Sequence, residues 1–194
     1  MGGQVISCVR NEYAEIARLL QASLNSDASP DSTTAVLDRL LRSARLQLGM
    51  KIAFISRFEN GRRIFKYVDK AAGIEIVKVG ESDPLEDTYC QRVVDGRLPQ
   101  LMQNAQDHVA ALQLKVTRQL GIGGYVSTPV TLNDSSVYGT FCCFSFRKDD
   151  SLNRRDLGLL QAFAEIAAEL LENSEQISRD IAPKRVRIRS SRAG

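Results

Sequence analysis

The 194 residues suffice for one domain of ordinary size plus flanking elements, and 43% hydrophobic with 25% charged content is the balance of a soluble globular protein. The net charge of +3 is unevenly spread: Lys184, Arg185, Arg187, Arg189 and Arg192 crowd the last dozen positions with no acid among them, which leaves the rest mildly acidic. No apolar run nears the roughly 20 residues that cross a bilayer and no signal-peptide pattern opens the chain, so a cytoplasmic protein without membrane contact is expected.

In chain order, Ile6, Val9, Tyr13, Ile16 and Leu20 recur at spacings of three and four, an a/d seam that predicts a helix over 6–24. Asn25 to Ser32 reads as a polar loop ending in good N-cap residues. A second helix follows to Leu48, burying Leu37, Leu40, Leu41 and Ala44, with Gly49 as its left-handed stop. Met50 to Phe58 alternates as a strand, with Ile52, Phe54 and Phe58 on one face and Ala53 and Ile55 on the other. Asn60-Gly61 suits a type I′ turn, which needs positive φ at both central positions. Ile64 to Val68 returns, and Ile74 to Val79 offers a third strand. Asp83, a capping residue, and Pro84 at the first helical position open a helix through Thr88, Tyr89, Cys90 and Val94 to Gly96. Leu98 to Met102 is short and extended, and Gln106 to Leu120 is helical in pattern despite β-branched Val109, Val116 and Thr117. Gly121, Gly123 and Gly124 end that helix.

The remainder is arranged around Ile122 to Arg147, two strands joined by the polar turn Asn133-Asp134-Ser135-Ser136. The first strand alternates Tyr125, Ser127, Pro129 and Thr131 against Val126, Thr128, Val130 and Leu132. The second is apolar on both faces, Val137, Phe141 and Cys143 against Tyr138, Cys142, Phe144 and Phe146. A strand covered on both sides is central, so helices must pack over each face of its sheet. Pro129 cannot donate to a ladder, which predicts a local irregularity there. The last helix begins near Asn153 and runs to about Ile177; Leu157, Leu160, Phe163, Ala164, Ala167 and Leu171 form a stripe that Leu159, Ile166 and Leu170 widen. Such a stripe can meet both the sheet and a partner helix. The pattern predicts an α+β sandwich: an antiparallel sheet with terminal helices on one face and a helix-rich insertion on the other.

Cys8, Cys90, Cys142 and Cys143 form no CxxC pair and have no metal-ligand spacing, so buried reduced thiols are expected and no metal site. Cys142 and Cys143, adjacent on a strand, point to opposite faces. With His108 as the only histidine, no Ser-His-Asp grouping can be argued. The run Gly121-Ile122-Gly123-Gly124 enters a strand instead of starting a helix, which rules it out as a phosphate cradle. No catalytic residue is assigned.

In this order, Thr88-Tyr89-Cys90-Gln91-Arg92-Val93-Val94, Leu98 to Ala105, Leu120-Gly121-Ile122, Tyr125 to Val130, Tyr138-Gly139-Thr140-Phe141 and Arg155-Asp156-Leu157 resemble the GAF family of small-molecule sensor domains. Tyr89 to Arg97 and Tyr138 to Ser145 look most like the GAF domains that precede EAL-type cyclic-di-GMP phosphodiesterases in bacteria, although the chain has no EAL motif. The resemblance implies a GAF-like sensor domain over 32–177, preceded by an N-terminal helix and linker at 1–31 and followed by a basic, flexible tail at 178–194. It implies a non-enzymatic regulatory domain without a cofactor that binds a small molecule beneath a helical lid. It also implies a homodimer through the first and last helices that acts on an output domain or protein partner. The residues expected to line the site are Thr88, Cys90, Val93, Asn104, His108, Tyr125, Ser127 and Phe141. A ligand-free interaction module is the alternative; a redox sensor through Cys90 and nucleic-acid contact through the tail are lesser ones.

Three branches of the family fit poorly. Cyclic-nucleotide binders carry an Asn-Lys…Phe…Asp-Glu pattern, whereas Asn133 precedes Asp134, Leu152 replaces the Phe, and Asp156 precedes Leu157. Bilin binders use a Cys-His pair, but Cys90 is followed by Gln91 and His108 is preceded by Asp107. The free methionine sulfoxide reductases need a resolving thiol near the nucleophile. Cys90 falls near one of their cysteine positions, and nothing from Asn104 to Arg118 supplies the others.

Overall fold

The computed structural model describes the backbone of residues 30–181 and the side chains of 33–174; the helix expected over 6–24, Cys8 and the basic tail lie outside the described residues. Helix α1 (Pro30–Gln47) starts inside the expected loop, with proline in its first turn, where a missing N–H costs nothing. It stops as expected: Gly49 takes φ +64°, its N–H donates to the Leu46 carbonyl, and Met50 N–H donates to the Arg45 carbonyl at 2.9 Å.

Six strands follow, β1 (Ile52–Glu59), β2 (Arg62–Lys70), β3 (Ser82–Pro84), β4 (Leu101–Met102), β5 (Tyr125–Thr131) and β6 (Val137–Phe144). They form one antiparallel sheet ordered β3-β2-β1-β6-β5-β4, so β6 pairs with β1 on one side and β5 on the other. Asn60 and Gly61 both have positive φ, the type I′ geometry their sequence predicts.

The third strand is not Ile74–Val79. Val77 adopts φ +60°, which breaks an extended run, and the ladder resumes only at Ser82–Ile64. The helix expected from Asp83 also starts later: Ser82–Pro84 is strand, Leu85–Asp87 a single 3-10 turn, and helix α2 spans Tyr89–Val94. Its N-cap is Thr88, whose hydroxyl accepts from Gln91 N–H at 3.2 Å. The single helix expected over Gln106–Leu120 is three pieces: a 3-10 turn at Ala105–Asp107, α3 (Val109–Leu112) and α4 (Lys115–Leu120). His108 (ψ 114°) and Leu114 (ψ 125°) are extended and interrupt it, and Gly121 at φ +63° closes α4. Propensity alone could not hold a helix so rich in β-branched residues.

Helix α5 (Arg154–Ile181) is long, as expected. Asn153 caps it, its side chain accepting from Arg155 N–H at 2.9 Å while Asp156 reaches back to Asn153 N–H at 2.8 Å. Leu160, Phe163, Ala164, Ala167 and Leu171 pack with Leu37, Leu41 and Ala44 of α1 onto Ala53, Ile55, Val126, Val130, Phe141 and Cys143 of the sheet. The wide stripe on α5 is thus used by the sheet and α1 together, and its described outward residues, such as Arg155, Gln161, Glu165 and Glu169, are polar. The opposite sheet face carries Ile52, Phe54, Phe65, Tyr125, Cys142 and Phe144, roofed by Tyr89, Cys90, Val93, Leu114 and Ile122. The α+β layering with a lid is therefore as the sequence implies. Among the described residues no helix is long and apolar enough to cross a membrane.

The irregularity expected at Pro129 falls one residue later. Ser127 N–H donates away from β6, to the Gln100 carbonyl at 2.7 Å, and Pro129 is oriented the same way where the β4 pairing has ended, so its missing N–H breaks no ladder. Val130 faces Gly139 but Thr131 faces Val137, leaving Tyr138 as the extra residue of a bulge and turning its ring into the helix-side core. Gly139 lies so close to β1 that a Cβ there would sit 1.9 Å from the Ser56 carbonyl oxygen. Gly139→Ala should therefore cost at least about 2 kcal/mol, read as a lowered denaturation midpoint at unchanged m-value.

Candidate functional site

The lid does not pack flush over the whole sheet. Between α2, α4 and the lid-facing side of β1, β2 and β6 lies a cavity of about 350 Å³. That volume is at the low end of small-molecule pockets. Aromatic rings make much of its wall: Phe54 and Phe65 meet edge-to-face with centroids 4.8 Å apart, Tyr89 of the lid lies 4.7 Å above Tyr125 of the sheet, and Phe144 closes the side. Tyr89 is held by its hydroxyl, 2.7 Å from Thr117 Oγ1, which itself donates to the Ala111 carbonyl.

Two arginines bring charge to these walls. Arg63 sits on β2 between Arg62 and Ile64, and the strand's alternation turns it inward, leaving it 8% exposed. Its guanidinium pairs with Asp83 on the adjacent β3 and stacks 3.6 Å from the Phe65 ring centroid. Arg92 donates to the Ala110 carbonyl at 2.6 Å and to Gln113 at 3.1 Å, tying α2 to the segment that leads into α4. The Nε of both arginines is buried and without a hydrogen-bond partner. A donor in that condition is costly unless something accepts from it.

Of the residues expected to line the site, Thr88, Cys90 and Tyr125 do so. Thr88 is also the α2 cap, donating to the Leu85 carbonyl at 2.7 Å. Val93 is spent in the lid core. Asn104 caps the 3-10 turn that follows it, accepting from Gln106 N–H at 3.2 Å and donating to Asp107. His108 is a half-buried helix-start residue away from the cavity. Ser127 is fully buried beneath the lid against Cys142, not on the cavity wall. Phe141 is a correction: it shares a face with Cys143 and packs under the terminal helices, on the far side of the sheet. Arg63, Arg92 and Cys142 were not expected at the site. The alternation of β2 and β6 carried the signal for Arg63 and Cys142, since each shares the parity of a lid-facing neighbour, Phe65 and Phe144.

The floor beside the cavity is a buried cluster of sulfur and hydroxyl groups. Cys90 Sγ and Cys142 Sγ are 3.8 Å apart. Ser127 Oγ lies 2.9 Å from Cys142 Sγ, the Tyr125 hydroxyl donates to that sulfur at 3.5 Å, and Ser56 Oγ donates to Cys90 Sγ at 3.8 Å. Thr140 joins the set, 2.9 Å from Ser56 and accepting from Cys142 at 3.2 Å. Burial acts to raise the Cys90 thiol. The bond from Cys142, the Arg63 charge and the Thr140 and Ser56 hydroxyls outweigh it and bring Cys90 down to about 6. Burial, then the bond to Cys90 and the charge of its thiolate, push Cys142 well up, so one proton leaves the pair easily and the second does not. Burial also raises Cys143, on the other face. Among the described residues no group of three or more His, Cys, Asp or Glu side chains could hold a metal ion.

Between pH 6 and the ordinary thiol value of 9.0 the folded chain binds fewer protons at Cys90 than the unfolded chain, so stability should rise with pH across that window. Above it the raised Cys142 and Cys143 reverse the sign. Thiolate absorbance in the ultraviolet should show one step centred near pH 6 that Cys90→Ser removes. A first step at 8 or above would contradict this electrostatic account.

The family model described as "GAF domain" matches residues 32–171. The phycocyanobilin-bound GAF domain from a cyanobacterial phytochrome has the same fold at TM-score 0.68 and 11% identity, over 85% of this chain and 96% of that one. The GAF domain from Acinetobacter phosphoenolpyruvate-protein phosphotransferase superposes at TM-score 0.63 and 15% identity, over 87% and 98%. The chromophore-binding domain of an unusual bacteriophytochrome from R. palustris gives 0.65 at 12% identity, and the chain spans only 62% of that domain's length. At these identities the likeness is one of fold. No curated protein matches the sequence.

Proposed function

The chain belongs to the GAF domain family, a sensory and regulatory fold of signalling proteins, and from that premise we propose that it senses a small molecule held between lid and sheet. The observation that carries this reading is the cavity of about 350 Å³ whose aromatic walls include two arginines with unpaired buried Nε donors. The chemistry favours a ligand with a flat or apolar body and an anionic group. Rings would stack against Tyr89, Tyr125, Phe54 or Phe144, and a carboxylate or phosphate would accept from Arg63 or Arg92. A covalently held bilin is not supported, since His108 and Cys90 are far from forming the adjacent pair such binders use.

Signalling then follows from differential affinity. A ligand that prefers one lid arrangement tenfold shifts the balance by about 1.4 kcal/mol, so the two arrangements must lie close in energy. The lid suits this role: three short helical pieces, each interrupted by extended residues, can re-seat more cheaply than one rigid helix. The wording of Tyr89–Arg97 and Tyr138–Ser145 supports a place in bacterial cyclic-di-GMP signalling, with an output domain or protein as the recipient. A homodimer would draw on the a/d seam at 6–24, because the described part of α5 has its apolar stripe already occupied.

A ligand-free interaction module is the second reading, and the filled interior around Val93, Leu98, Met102, Ala105 and Ala111 favours it. Native mass spectrometry of freshly purified protein separates the two. A carried-over small molecule, or a thermal shift in a screen of aromatic carboxylates and nucleotides, supports sensing. At roughly 100 times its dissociation constant a true ligand should add about 2.7 kcal/mol of stability. Arg63→Met should weaken an anionic ligand by at least tenfold. It should do so at small cost to the fold, because Asp83 is 53% exposed and water can take over its pairing. An empty mass in every preparation together with no shift would leave only the scaffold.

A further inference from the structure

The geometry points to a hydroperoxide-reactive dithiol, Cys90 with Cys142, that closes to a disulfide between lid and sheet. It does not depend on the ligand proposed above. The two residues are far apart in sequence, one in α2 and one in the centre of β6, and the fold brings their sulfurs to 3.8 Å. A disulfide bond is about 2.05 Å, so closure needs an approach of roughly 1.8 Å, from two elements already packed on one another.

The two thiols have different access. Cys90 lines the cavity and Cys142 does not, so a small oxidant entering there meets Cys90 first and Cys142 stands behind it. Hydroxyl groups surround both sulfurs: Ser56 donates to Cys90, while Tyr125 donates to Cys142 and Ser127 lies at hydrogen-bond distance from it. The Arg63 guanidinium lines the same cavity and supplies positive charge to a thiolate. A nucleophilic thiol needs that kind of microenvironment. Cys143 is an internal contrast. One residue along, it faces the helix-side core among Ile55, Val126 and Leu160 and does not line the cavity.

The chemistry is two displacements. The Cys90 thiolate attacks the terminal oxygen of a hydroperoxide, the O–O bond breaks, and the alkoxide takes a proton to leave as an alcohol, or as water from hydrogen peroxide. Cys90 is then a sulfenic acid. Cys142 sulfur attacks Cys90 sulfur, the S–S bond forms, the S–O bond breaks, and the hydroxide leaves as water with the Cys142 proton. Two thiols are oxidised by one peroxide, and a dithiol reductant reverses the result. The product fastens α2 to β6, so oxidation would fix the lid in one position over the cavity floor.

The test uses the full chain, reduced, desalted and exposed to hydrogen peroxide at neutral pH. Intact mass should fall by two hydrogen atoms, and a non-reducing peptide map should join the Cys90 and Cys142 peptides; dithiothreitol should restore the starting mass. In Cys142→Ser with dimedone present, the adduct should accumulate on Cys90. In Cys90→Ser the two-hydrogen loss should be at least tenfold slower. The wild-type map does not depend on either variant folding. A mass unchanged after peroxide, a linkage through Cys8 or Cys143, or a dimedone adduct confined to another cysteine would overturn the proposal.

Discussion

Both layers of this molecule follow from the fact that β6 is apolar on its two faces. Phe141 and Cys143 need cover on one side, Cys142 and Phe144 on the other, and no neighbouring strand can supply it because strands pair edge to edge. The helix side resolves this with two long helices and a continuous apolar core. Each large side chain fully buried there, such as Leu37, Leu41 or Leu160, contributes about 1.5–3 kcal/mol of transfer free energy. Among the described residues the lid side has no long helix. Its cover comes from short turns strung between Pro84 and Gly121, which cannot tile a twisted sheet without gaps, and the cavity is the gap that results.

The division between what the sequence made legible and what it hid follows the same line. Where a regular period met a regular element, the reading was sound: α1 with its Gly49 stop, the Asn60-Gly61 hairpin, the alternation of β1 and β5, and most of α5. Where single residues override the period, it was not. Val77 in the left-handed region ends what looked like a β-run, and Thr88, not Asp83, is the cap that starts α2. The misplacement of Phe141 has a simpler cause. Its parity with Cys143 already put it on the helix side, and only its nearness to the resemblance motif Tyr138–Phe141 suggested the cavity. The site was harder still, because its chemistry is assembled across the sheet. Arg63 reads as an ordinary strand residue until β3 brings Asp83 beside it, and Cys142 has no visible relation to Cys90 until β6 lies beneath α2.

The buried hydroxyls of Ser56, Ser127 and Thr140 sit where a hydrophobic core would ordinarily continue. Each would be costly alone, and each finds partners in the others or in sulfur, with Ser56 also accepting from the Thr140 backbone N–H at 3.4 Å. Sulfur is a weak acceptor when protonated and a strong one as a thiolate. A cluster built from several hydroxyl donors around two thiols is therefore better satisfied with one proton missing than with all present. The bond from Cys142 and the Arg63 charge, with the Thr140 and Ser56 hydroxyls behind them, lower Cys90 against the cost of burial, while burial and the Cys90 thiolate raise Cys142 against its own hydroxyl neighbours.

Arg63 is the other departure from a plain core, and its setting bears on what the cavity is for. Desolvating a guanidinium is expensive, and a well-packed apolar residue of similar size would be about as stabilising as the pair with Asp83. Stacking on Phe65 and the half-exposed Asp83 offset part of that cost without using the Nε proton. What the arginine adds that an apolar residue cannot is a positive charge beside a thiolate, and an unpartnered buried Nε donor at the wall of a cavity that rings, aliphatic side chains and the carboxylates of Asp83 and Asp87 also line. Both contributions concern an anion, one belonging to the protein and one brought by a guest. They compete for the same cation, so an anion seated on Arg63 should withdraw support from the Cys90 thiolate and slow its chemistry. Occupancy of the cavity and oxidation of the floor would then be linked through a single side chain, with a sign that electrostatics alone dictates.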